Sequence, residues 1–426
     1  MSQKVAVIGI GYVGLPLALL ARDKGYDVIG IDLDKSKVEK VEKGLSPIQD
    51  KSLETALKKA PLQASTDFSS VKTADIAIIC VPTPVKNHRE PDLEPLKGAV
   101  LSTAKNLRRE TLLIIESTIN PGVCDDILIP LVEEASGMKA GKDFYFAHCP
   151  ERINPGDPNY SVRNINRVIG AQSDEGLKEA VKFYESIIEA DIKPMATLKE
   201  AEAVKVVENS FRDINIAFVN ELAMSFHKLG INIENVIDGA ATKPFAFMPH
   251  RPGVGVGGHC IPVDPYYLIE YARGFGFEHD FLSLARRINS RMPEFTVELL
   301  QDALNQAGLP IKDTRIALLG LAYKSNVDDD RESPAYEVLS LLKDAGAKVI
   351  TYDPFIPQNS NVDTLDEALK NSKAIVVATG HDEFKDIDIK ELKSNGILVV
   401  IDGRNILRNL KPEMAKSGLI YSGIGV

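Results

Sequence analysis

Short apolar runs alternate with segments of helical periodicity from the first residues of the chain. The clearest strand-like runs are KVAVIGI (4–10), YDVIGID (26–32), DIAIICV (75–81) and TLLIIES (111–117). Strands that alternate with helices are typical of a parallel sheet covered by helices on its faces. The pattern therefore predicts an α/β fold that begins with a doubly wound, Rossmann-like domain.

A different pattern begins near residue 197. Thr197 and Glu200 form a capping box, and the segment after them runs without Pro or Gly as far as Gly230. About 32 residues at about 1.5 Å each predict a helix about 48 Å long, apolar on several sides in its second half. We interpret this helix as a spine that joins two domains and pairs with a second copy of the chain. Two more helices are expected after it, over about 280–307, ending at Gly308.

The last third of the chain repeats the strand–helix–strand pattern of the first. TRIALLGLAYK (314–324), a predicted helix from Pro334 to Ala345 and KVITYDP (348–354) resemble the opening strand, helix and strand, and AIVVATG and ILVVIDGR add later parallel strands. This part lacks the G-x-G-x-x-G spacing, so its ligand should differ from that of the first domain. The expected division is a Rossmann-like domain over 1–196, a central helical domain for dimerisation over 197–308 and a second Rossmann-like domain over 309–426.

Composition limits the class of protein further. Hydrophobic residues make up 44% of 426 residues, no apolar run reaches the roughly 18 residues of a membrane span, and the start lacks the pattern of a secretory signal. We therefore expect a cytoplasmic protein that does not bind membranes. The net charge of −10 argues against nucleic-acid binding. Cysteines at 80, 124, 149 and 260 show no metal-ligand spacing, so neither a metal site nor a disulfide is expected.

A glycine-rich turn follows the first predicted strand. Gly9, Gly11 and Gly14 lie between strand and helix, and Asp32 ends the second strand 18 residues after Gly14. Gly9 permits a tight turn, Gly11 lets a pyrophosphate approach the backbone and Gly14 lets helix and strand pack closely. A carboxylate at Asp32 binds a ribose diol and repels a 2′-phosphate. The motif therefore predicts NAD rather than NADP.

The same spacing recurs in RPGVGVGGHCIPVDPYYL (251–268), at Gly253, Gly255 and Gly258. Prolines before it exclude a preceding strand, and CIPVDP after it is not expected to begin a regular helix. We interpret these glycines as a loop whose backbone approaches a ligand and presents Cys260. A thiol beside an NAD site forms a thiohemiacetal with an aldehyde, and loss of a hydride then leaves a thioester.

Eight segments, taken in order, resemble the signature segments of the UDP-glucose/GDP-mannose dehydrogenase family across essentially the whole chain. They are GYVGLPLA, VPTP, ESTINPG, CPERINPG, EAEAVKVVENSFRDINIAFVNE, GVGGHCIPVDPYYL, YKSNVDDDRESP and DGRNIL. The resemblance implies a homodimeric enzyme of polysaccharide biosynthesis that oxidises the C6 alcohol of a nucleotide sugar to a carboxylate with two NAD. TKPFAFMP and GGHC are most similar to the branch that acts on UDP-N-acetylhexosamines, with UDP-N-acetylglucosamine the expected substrate. UDP-N-acetylmannosamine, UDP-N-acetylgalactosamine and UDP-glucose stay open.

The resemblance also implies roles for individual residues. Cys260 matches the family's nucleophile. Lys205 and Asn209 match positions that stabilise an oxyanion, and their four-residue spacing places both on one face of a helix. Asp264 matches a carboxylate that works with this lysine and a water.

Two further catalytic positions are implied, Glu151 as general base in thioester hydrolysis and Thr118 as a hydroxyl near the nicotinamide. The implied cofactor contacts are Gly9, Gly11, Tyr12, Val13, Gly14, Asp32, Lys37, Thr83, Thr118 and Arg331. The implied UDP-sugar contacts are Arg152, Ile153, Lys205, Asn209, Arg212, Arg251, Gly257, Tyr323, Lys324 and Arg404.

Several alternatives stay open from sequence. Arg331, in DDDRES, also fits a solvated run of charges, and the HR pair at Arg251 departs from the aromatic pair of the N-acetylglucosamine enzymes. His259 is either a group that polarises the thiol or a spacer in the loop. Cys149 is a rival nucleophile, which we interpret as a packed thiol. A two-electron hydroxyacid dehydrogenase and a non-catalytic NAD-responsive regulator are the competing function classes.

Overall fold

The computed structural model describes residues 2–48, 50–84, 92–153, 160–258 and 260–426. The chain forms two compact units, one of Met1–Glu208 with Tyr266–Phe277 and one of Asn209–Pro265 with Glu278–Val426. Each unit contains one β-sheet with helices, so the predicted pair of Rossmann-like domains with a long helix between them in sequence is confirmed.

Eight strands form the sheet of the first unit within its described residues, in the order β3-β2-β1-β4-β5-β6-β7-β8. The strands are β1 (Lys4–Ile8), β2 (Asp27–Ile31), β3 (Gln63–Ser65), β4 (Ile76–Ile79), β5 (Leu112–Ile115), β6 (Tyr145–His148), β7 (Arg167–Ala171) and β8 (Ile192–Pro194). The strand order reverses between β1 and β4. The carboxyl ends of the strands at such a switch point form the crevice in which this fold binds nucleotides.

One pair in this sheet departs from the predicted parallel arrangement, because β6 and β7 run antiparallel with Ala147 opposite Ala171. Parallel neighbours need a crossover connection, usually a helix, whereas antiparallel neighbours do not. Among the described residues between these two strands, 149–153 and 160–166, no helix is present.

The helices of the first unit form where apolar residues face the sheet. They are α1 (Gly14–Asp23), α2 (Lys35–Glu42), α3 (Lys51–Lys59), α4 (Glu94–Ala104), α5 (Ile129–Ser136) and α6 (Asp174–Ile187). In α1 the residues Leu15 and Leu17–Ala21 are buried and pack in one core cluster with Val5 and Val7 of β1. This packing fixes the start of α1 directly after the glycine turn.

The predicted long helix is confirmed as α7 (Leu198–Leu229), and α8 (Ile233–Ala241), α9 (Asp264–Arg273) and α10 (Asp280–Gln306) follow it. Two expectations were wrong here. A single helix, α10, occupies 280–306 with Pro293 inside it, because its buried side chains, among them Met292 and Phe295, compensate for the lost backbone hydrogen bond. CIPVDP does begin a helix at Asp264, since Pro265 falls in the first turn, where a missing N–H costs nothing.

The second unit contains a parallel sheet in the order β10-β9-β11-β12-β13. Its strands are β9 (Arg315–Leu319), β10 (Lys348–Tyr352), β11 (Ala374–Val377), β12 (Val399–Asp402) and β13 (Ile420–Gly423), and its later helices are α11 (Pro334–Asp344), α12 (Leu365–Leu369), α13 (Asp382–Lys385), α14 (Ile389–Ser394) and α15 (Lys411–Lys416). Ala223 of α7 and Leu300 of α10 pack in the same core cluster as Ile316 and Leu318 of β9. Among the described helices none is long and apolar enough to cross a membrane.

Candidate active site

The glycine turn after β1 has the geometry that its spacing predicts. Gly9 has a φ of +91°, and its amide donates to the carbonyl of Ile31 at 2.7 Å. A Cβ at Gly14 would overlap the carbonyl oxygen of Gly9, whereas a Cβ at Gly11 would meet no atom within 4 Å. The turn is therefore closed between helix and strand and open at Gly11, where a phosphate would approach the backbone.

Asp32 lies directly after β2, and its side chain is 13% exposed. Its carboxylate accepts hydrogen bonds from the amides of Ile10 at 3.1 Å and Asp34 at 3.0 Å, and Lys37 Nζ is 3.7 Å away. The first turn of α1 has neither a side-chain cap at Val13 nor an acidic residue, so no carboxylate there competes for its amides. These features fit a dinucleotide with its pyrophosphate at α1 and its ribose at Asp32.

Two of the predicted cofactor residues, Thr83 and Thr118, lie after β4 and β5, at the same edge of the sheet. The hydroxyl of Thr83 donates to the carbonyl of Thr118 at 2.7 Å, and the hydroxyl of Tyr267 in α9 donates to the carbonyl of Thr83 at 2.7 Å. Tyr12, which lies within the glycine turn between Gly11 and Gly14, is 51% exposed. The structure thus brings both threonines into one hydrogen-bonded group within the first unit.

Glu151 is buried after β6 and is held by three donors. One carboxylate oxygen accepts from the amides of Arg152 at 2.6 Å and Ile153 at 2.5 Å, and the other accepts from Arg167 Nη1 at 2.8 Å. The guanidinium of Arg152 pairs with Glu208, with Nε at 3.1 Å. Glu151 therefore has a fixed orientation within the first unit.

Arg167 belongs to a buried polar cluster that sequence reasoning missed. Its Nη1 is also 4.0 Å from Glu116, which accepts a hydrogen bond from the hydroxyl of Tyr184. Burial raises the pKa of Glu116 to about 7, although the charge of Arg167 acts in the opposite direction. Cys149 is fully buried beside this cluster and burial raises the pKa of its thiol, so it is a packed thiol, as expected.

The loop before Cys260 needs its glycines for close packing against the second unit's own side chains. A Cβ at Gly257 would lie 2.7 Å from Tyr323 Cβ, and one at Gly253 would lie 2.5 Å from Arg404 Nη1. Gly258 has a φ of +85°, and its amide donates to the carbonyl of Arg331 at 3.0 Å. On the side where a Cβ would lie, protein atoms fill the space at Gly253 and Gly257, so packing alone already requires glycine at both positions. The role of these glycines in ligand binding stays a prediction. His259 lies outside the described residues.

The start of the glycine loop is fixed by a buried pair of asparagines. The amide of Gly253 donates to Asn220 Oδ1 of α7 at 3.0 Å, and Asn220 Nδ2 donates to Asn289 Oδ1 of α10 at 2.9 Å. Asn289 Nδ2 in turn donates to the carboxylate of Asp213 at 2.8 Å. No sequence motif pointed to Asn289, because its partners are 69 and 76 residues away.

Cys260 is partly exposed and leads directly into α9. Its carbonyl accepts from the amides of Val263 at 3.0 Å and Asp264 at 2.8 Å, which forms the turn before the helix. Asp264 is 2% exposed, and one of its carboxylate oxygens accepts from Asn209 Nδ2 at 2.5 Å. The structure thus joins two predicted catalytic residues, with Lys205 one turn before Asn209 on α7.

The other predicted substrate and cofactor cations have different surroundings. Arg331 pairs with Asp329 through Nε at 2.8 Å and lies close enough to Cys260 for their charges to interact. Arg251 is engaged by Glu234 at 2.5 Å and by Asp238, both on α8. Arg212 and Arg404 are exposed, whereas Lys324 is half-buried.

The described part of the chain contains no cluster of three His, Cys, Asp or Glu that could hold a metal.

Comparisons with known proteins agree with this architecture. The chain matches three parts of the UDP-glucose/GDP-mannose dehydrogenase family, the NAD binding domain over residues 3–188, the central domain over 199–291 and the UDP binding domain over 317–409. It is 39% identical to the UDP-N-acetyl-D-mannosamine dehydrogenase of Pyrococcus horikoshii over 99% of both chains. It is 33% identical to the UDP-N-acetyl-D-glucosamine 6-dehydrogenase of Pseudomonas aeruginosa over 92% of this chain and 94% of the relative.

A solved structure of a UDP-D-ManNAc dehydrogenase from Pyrococcus horikoshii has a TM-score of 0.93 to this chain, with 37% identity and 99% of both chains covered. The resemblance of the eight sequence segments is thereby confirmed over the full length, and NAD is the cofactor of the first domain. The chain therefore belongs to the UDP-glucose/GDP-mannose dehydrogenase family and is an NAD-dependent oxidoreductase.

Proposed function

We propose that this enzyme oxidises the C6 alcohol of a UDP-N-acetylhexosamine to the carboxylate, in four electrons, through covalent adducts on Cys260. The observation that carries the proposal is the partly exposed Cys260 at the end of a fixed glycine loop, one turn before the buried Asp264–Asn209 pair. A simple two-electron hydroxyacid dehydrogenase has no use for this thiol or for a UDP binding domain. Full-length similarity to UDP-sugar dehydrogenases supports the same reading.

The first unit would hold NAD through the turn at Gly9, Gly11 and Gly14 and through the carboxylate of Asp32. When bound, NAD accepts a hydride from C6 in each of the two oxidations. Thr118 would place its hydroxyl near the nicotinamide.

The chemistry of the second oxidation depends on the thiol. Cys260 Sγ adds to the aldehyde carbon, which gives a thiohemiacetal, and loss of a hydride from that carbon leaves a thioester. Lys205 and Asn209 would stabilise the negative charge that develops on the oxygen.

Hydrolysis completes the reaction and restores the thiol. A water attacks the thioester carbon and the carbon–sulfur bond breaks, with Glu151 as general base and with Asp264 acting together with Lys205 on a water. Overall, one alcohol, one water and two NAD⁺ give one carboxylate, two NADH and three protons. The three hydrogen bonds that Glu151 accepts leave its carboxylate oriented for this task.

The configuration of the sugar at C2 is the finer part of the proposal. The sequence led us to expect UDP-N-acetylglucosamine, whereas the relative with 39% identity over 99% of the chain is named for UDP-N-acetyl-D-mannosamine. The glucosamine relative is 33% identical over a smaller share of the chain. Arg251, where the sequence departs from the expected aromatic pair, is engaged by Glu234 and Asp238. We therefore favour UDP-N-acetylmannosamine.

A substrate panel tests this assignment. NADH formation would be followed with UDP-glucose, UDP-N-acetylglucosamine, UDP-N-acetylgalactosamine and UDP-N-acetylmannosamine, each under the same conditions. We expect a kcat/KM for UDP-N-acetylmannosamine at least about tenfold above the others, because a mismatched hydroxyl or amide leaves buried polar groups unpaired. A preference for UDP-N-acetylglucosamine would reverse the choice of epimer, and no NADH with any of the four would refute the function.

A further inference from the structure

The two Rossmann-like units carry an acidic residue at corresponding points. Asp32 follows β2 and Asp353 follows β10, and in both units a glycine amide donates across the turn, Gly9 to Ile31 at 2.7 Å and Gly320 to Tyr352 at 2.8 Å. The side chain of Asp32 is 13% exposed, whereas that of Asp353 is fully buried. The acidic residue at this position therefore has a different role in the second unit.

Asp353 uses its carboxylate to hold the backbone of its own unit. One oxygen accepts from the amides of Leu321 at 2.6 Å and Ala322 at 2.8 Å and from His381 Nε2 at 3.0 Å. The other accepts from the amides of Phe355 at 2.8 Å and Ile356 at 3.2 Å. Burial acts to raise the pKa of this carboxyl, but the hydrogen bonds from His381 and from these amides hold it below its ordinary value.

His381 is fully buried and has defined partners on both ring nitrogens. Nδ1 accepts from the amide of Asn326 at 2.9 Å, so the ring proton is on Nε2, where it is donated to Asp353. The ring stacks on Phe355, with centroids 4.9 Å apart, and meets Phe384 edge-on. These contacts leave the imidazole a single orientation.

The segment 321–326 is consequently anchored at both ends by one His–Asp pair. Asp353 binds the amides of residues 321 and 322, His381 binds the amide of residue 326, and Tyr323 and Lys324 lie between these anchors. The hydroxyl of Thr379 also binds the carbonyl of residue 322. Tyr323 and Lys324 are the residues to which the family resemblance assigns the UDP-sugar.

We propose that Asp353 and His381 are positioning residues for UDP-sugar binding, because they fix the backbone from which Tyr323 and Lys324 reach the ligand. The inference rests on the proposed function only in taking those two residues as ligand contacts. Ordering a mobile backbone on binding costs affinity, so a segment that carries ligand contacts binds more tightly when its backbone is already fixed. The His–Asp pair supplies that order before the ligand arrives.

Two substitutions separate the two hydrogen bonds of the imidazole. In His381→Asn the amide oxygen is an acceptor near the position of Nδ1, which keeps a partner for the amide of Asn326. In His381→Gln the amide nitrogen is a donor near the position of Nε2, which keeps a partner for Asp353. Calorimetry with UDP as the probe would measure affinity in the full-length protein without turnover. We expect each variant to bind UDP on the order of tenfold more weakly, with NAD affinity unchanged, because NAD binds the first unit.

Ser372→Ala is the matched control. Ser372 is fully buried in the same unit, but its hydroxyl binds the carbonyl of Ala368, before the amino end of β11 and away from the anchored segment. The control should lower the melting temperature and leave UDP affinity intact. An equal loss of UDP affinity in the control, or wild-type affinity in both folded His381 variants, would overturn the proposal.

A double-mutant cycle distinguishes positioning from a general structural role. If His381 acts through Lys324, then His381→Asn in a Lys324→Met background should weaken UDP binding much less than it does in the wild type. Additive losses would contradict the proposal. Absence of NADH with every UDP-sugar is a separate outcome, since it would refute the proposed function while these UDP affinities still decide the positioning role.

The wild-type protein provides a test that needs no substitution. Hydrogen exchange of the segment 321–326 should be slow without UDP and change little when UDP is added, because the His–Asp pair already orders it. Fast exchange that becomes slow only with UDP would show that the ligand orders this segment, and the proposal would fail even if the His381 variants did not fold.

Discussion

Among single residues, we propose that Asp32 sets the preference for NAD over NADP. Its carboxylate is partly exposed and oriented by the amides of Ile10 and Asp34. Asp32→Ala should reduce the preference for NAD over NADP by on the order of tenfold or more, because the ribose hydroxyls lose an acceptor and a 2′-phosphate loses a repelling charge. Steady-state kinetics with both cofactors measure the ratio. Equal use of NAD and NADP by the wild type would remove the basis for the role of Asp32.

We expect the buried carboxyl of Glu116 to make the free energy of unfolding depend on pH. Its folded pKa of about 7 lies above the ordinary value of 4.5, so the folded state gains stability from the bound proton below about pH 4.5 and loses it as pH rises through about 7. In Glu116→Gln this titration is absent. The free energy of unfolding of the wild type relative to the variant should therefore fall by up to about 3 kcal/mol between pH 4.5 and 7.5.

Denaturant unfolding of both proteins at pH 5, 6, 7 and 8 measures this difference. Glu54→Gln, which removes a carboxylate at an exposed position on α3, is the control for the loss of one charge. A wild-type-to-variant difference that stays constant over this pH range would show that Glu116 does not titrate near neutral pH.

Sequence spacing predicted residues whose role depends on the backbone of one turn. It did not predict buried residues whose role depends on partners far away in the sequence. Gly9, Gly11 and Gly14 are recognisable because each has a distinct backbone requirement within one turn. Arg167 carries no such signal, since it begins β7 outside any motif and acquires its partners only when β6 and β7 pair. The sequence shows that Asp353 follows a predicted strand. It does not show that the side chain points inward, because that orientation depends on His381, 28 residues later.

At the scale of elements, α7 has an exposed apolar face that is unusual for a helix at a protein surface. Val207, Phe211 and Phe218 are 54%, 50% and 52% exposed, and their spacing of four and seven residues places them on one side of the helix. Burying large aromatic side chains stabilises an interface strongly. We propose that this face pairs with α7 of a second copy in a homodimer.

Substitution of this face tests the dimer. Phe211→Asp combined with Phe218→Asp should convert the protein to monomers, because each carboxylate would have to be buried against apolar side chains. Light scattering coupled to gel filtration gives the mass directly. Leu45→Asp, at a residue 46% exposed in the first unit, is the matched control and should leave the mass unchanged. A dimeric mass for the double variant would place the interface elsewhere.

Helices and strands with strong periodicity were predicted well, and the exceptions have local causes. α7 was expected within one residue at each end, because Thr197 and Gly230 mark its limits. The strand β13 was missed, since its four residues, IYSG, show no clear alternation and only their pairing with β12 defines them. The start of α9 at Asp264 was missed because two prolines obscured a helix whose first turn tolerates them.

At the scale of the whole molecule, the repeated strand–helix–strand pattern was sufficient to predict two Rossmann-like units. The limits of the compact units were not predicted, because they depend on long-range packing. Ala223 and Ile233 pack in the core of the second unit, whereas residues 266–277 belong to the first. The three-part division at 196 and 308 stays a prediction.

Variants of the cysteine address the covalent route. Cys260→Ala should stop the second oxidation, because no thiohemiacetal can form, and Cys260→Ser should give an ester that hydrolyses slowly and adds the mass of the sugar nucleotide to the protein. Intact-protein mass spectrometry detects that adduct. Cys124→Ala, which removes a fully buried thiol, is the control and should form no slow adduct.

The number of NADH formed per sugar distinguishes the four-electron route through Cys260 from a two-electron oxidation. A limiting, known amount of UDP-sugar would be converted to completion with excess NAD, and NADH would be counted by its absorbance while the product is identified by mass. We expect two NADH and one carboxylate per sugar for the wild type, with no aldehyde released. One NADH per sugar for the wild type, or two for Cys260→Ala, would contradict it.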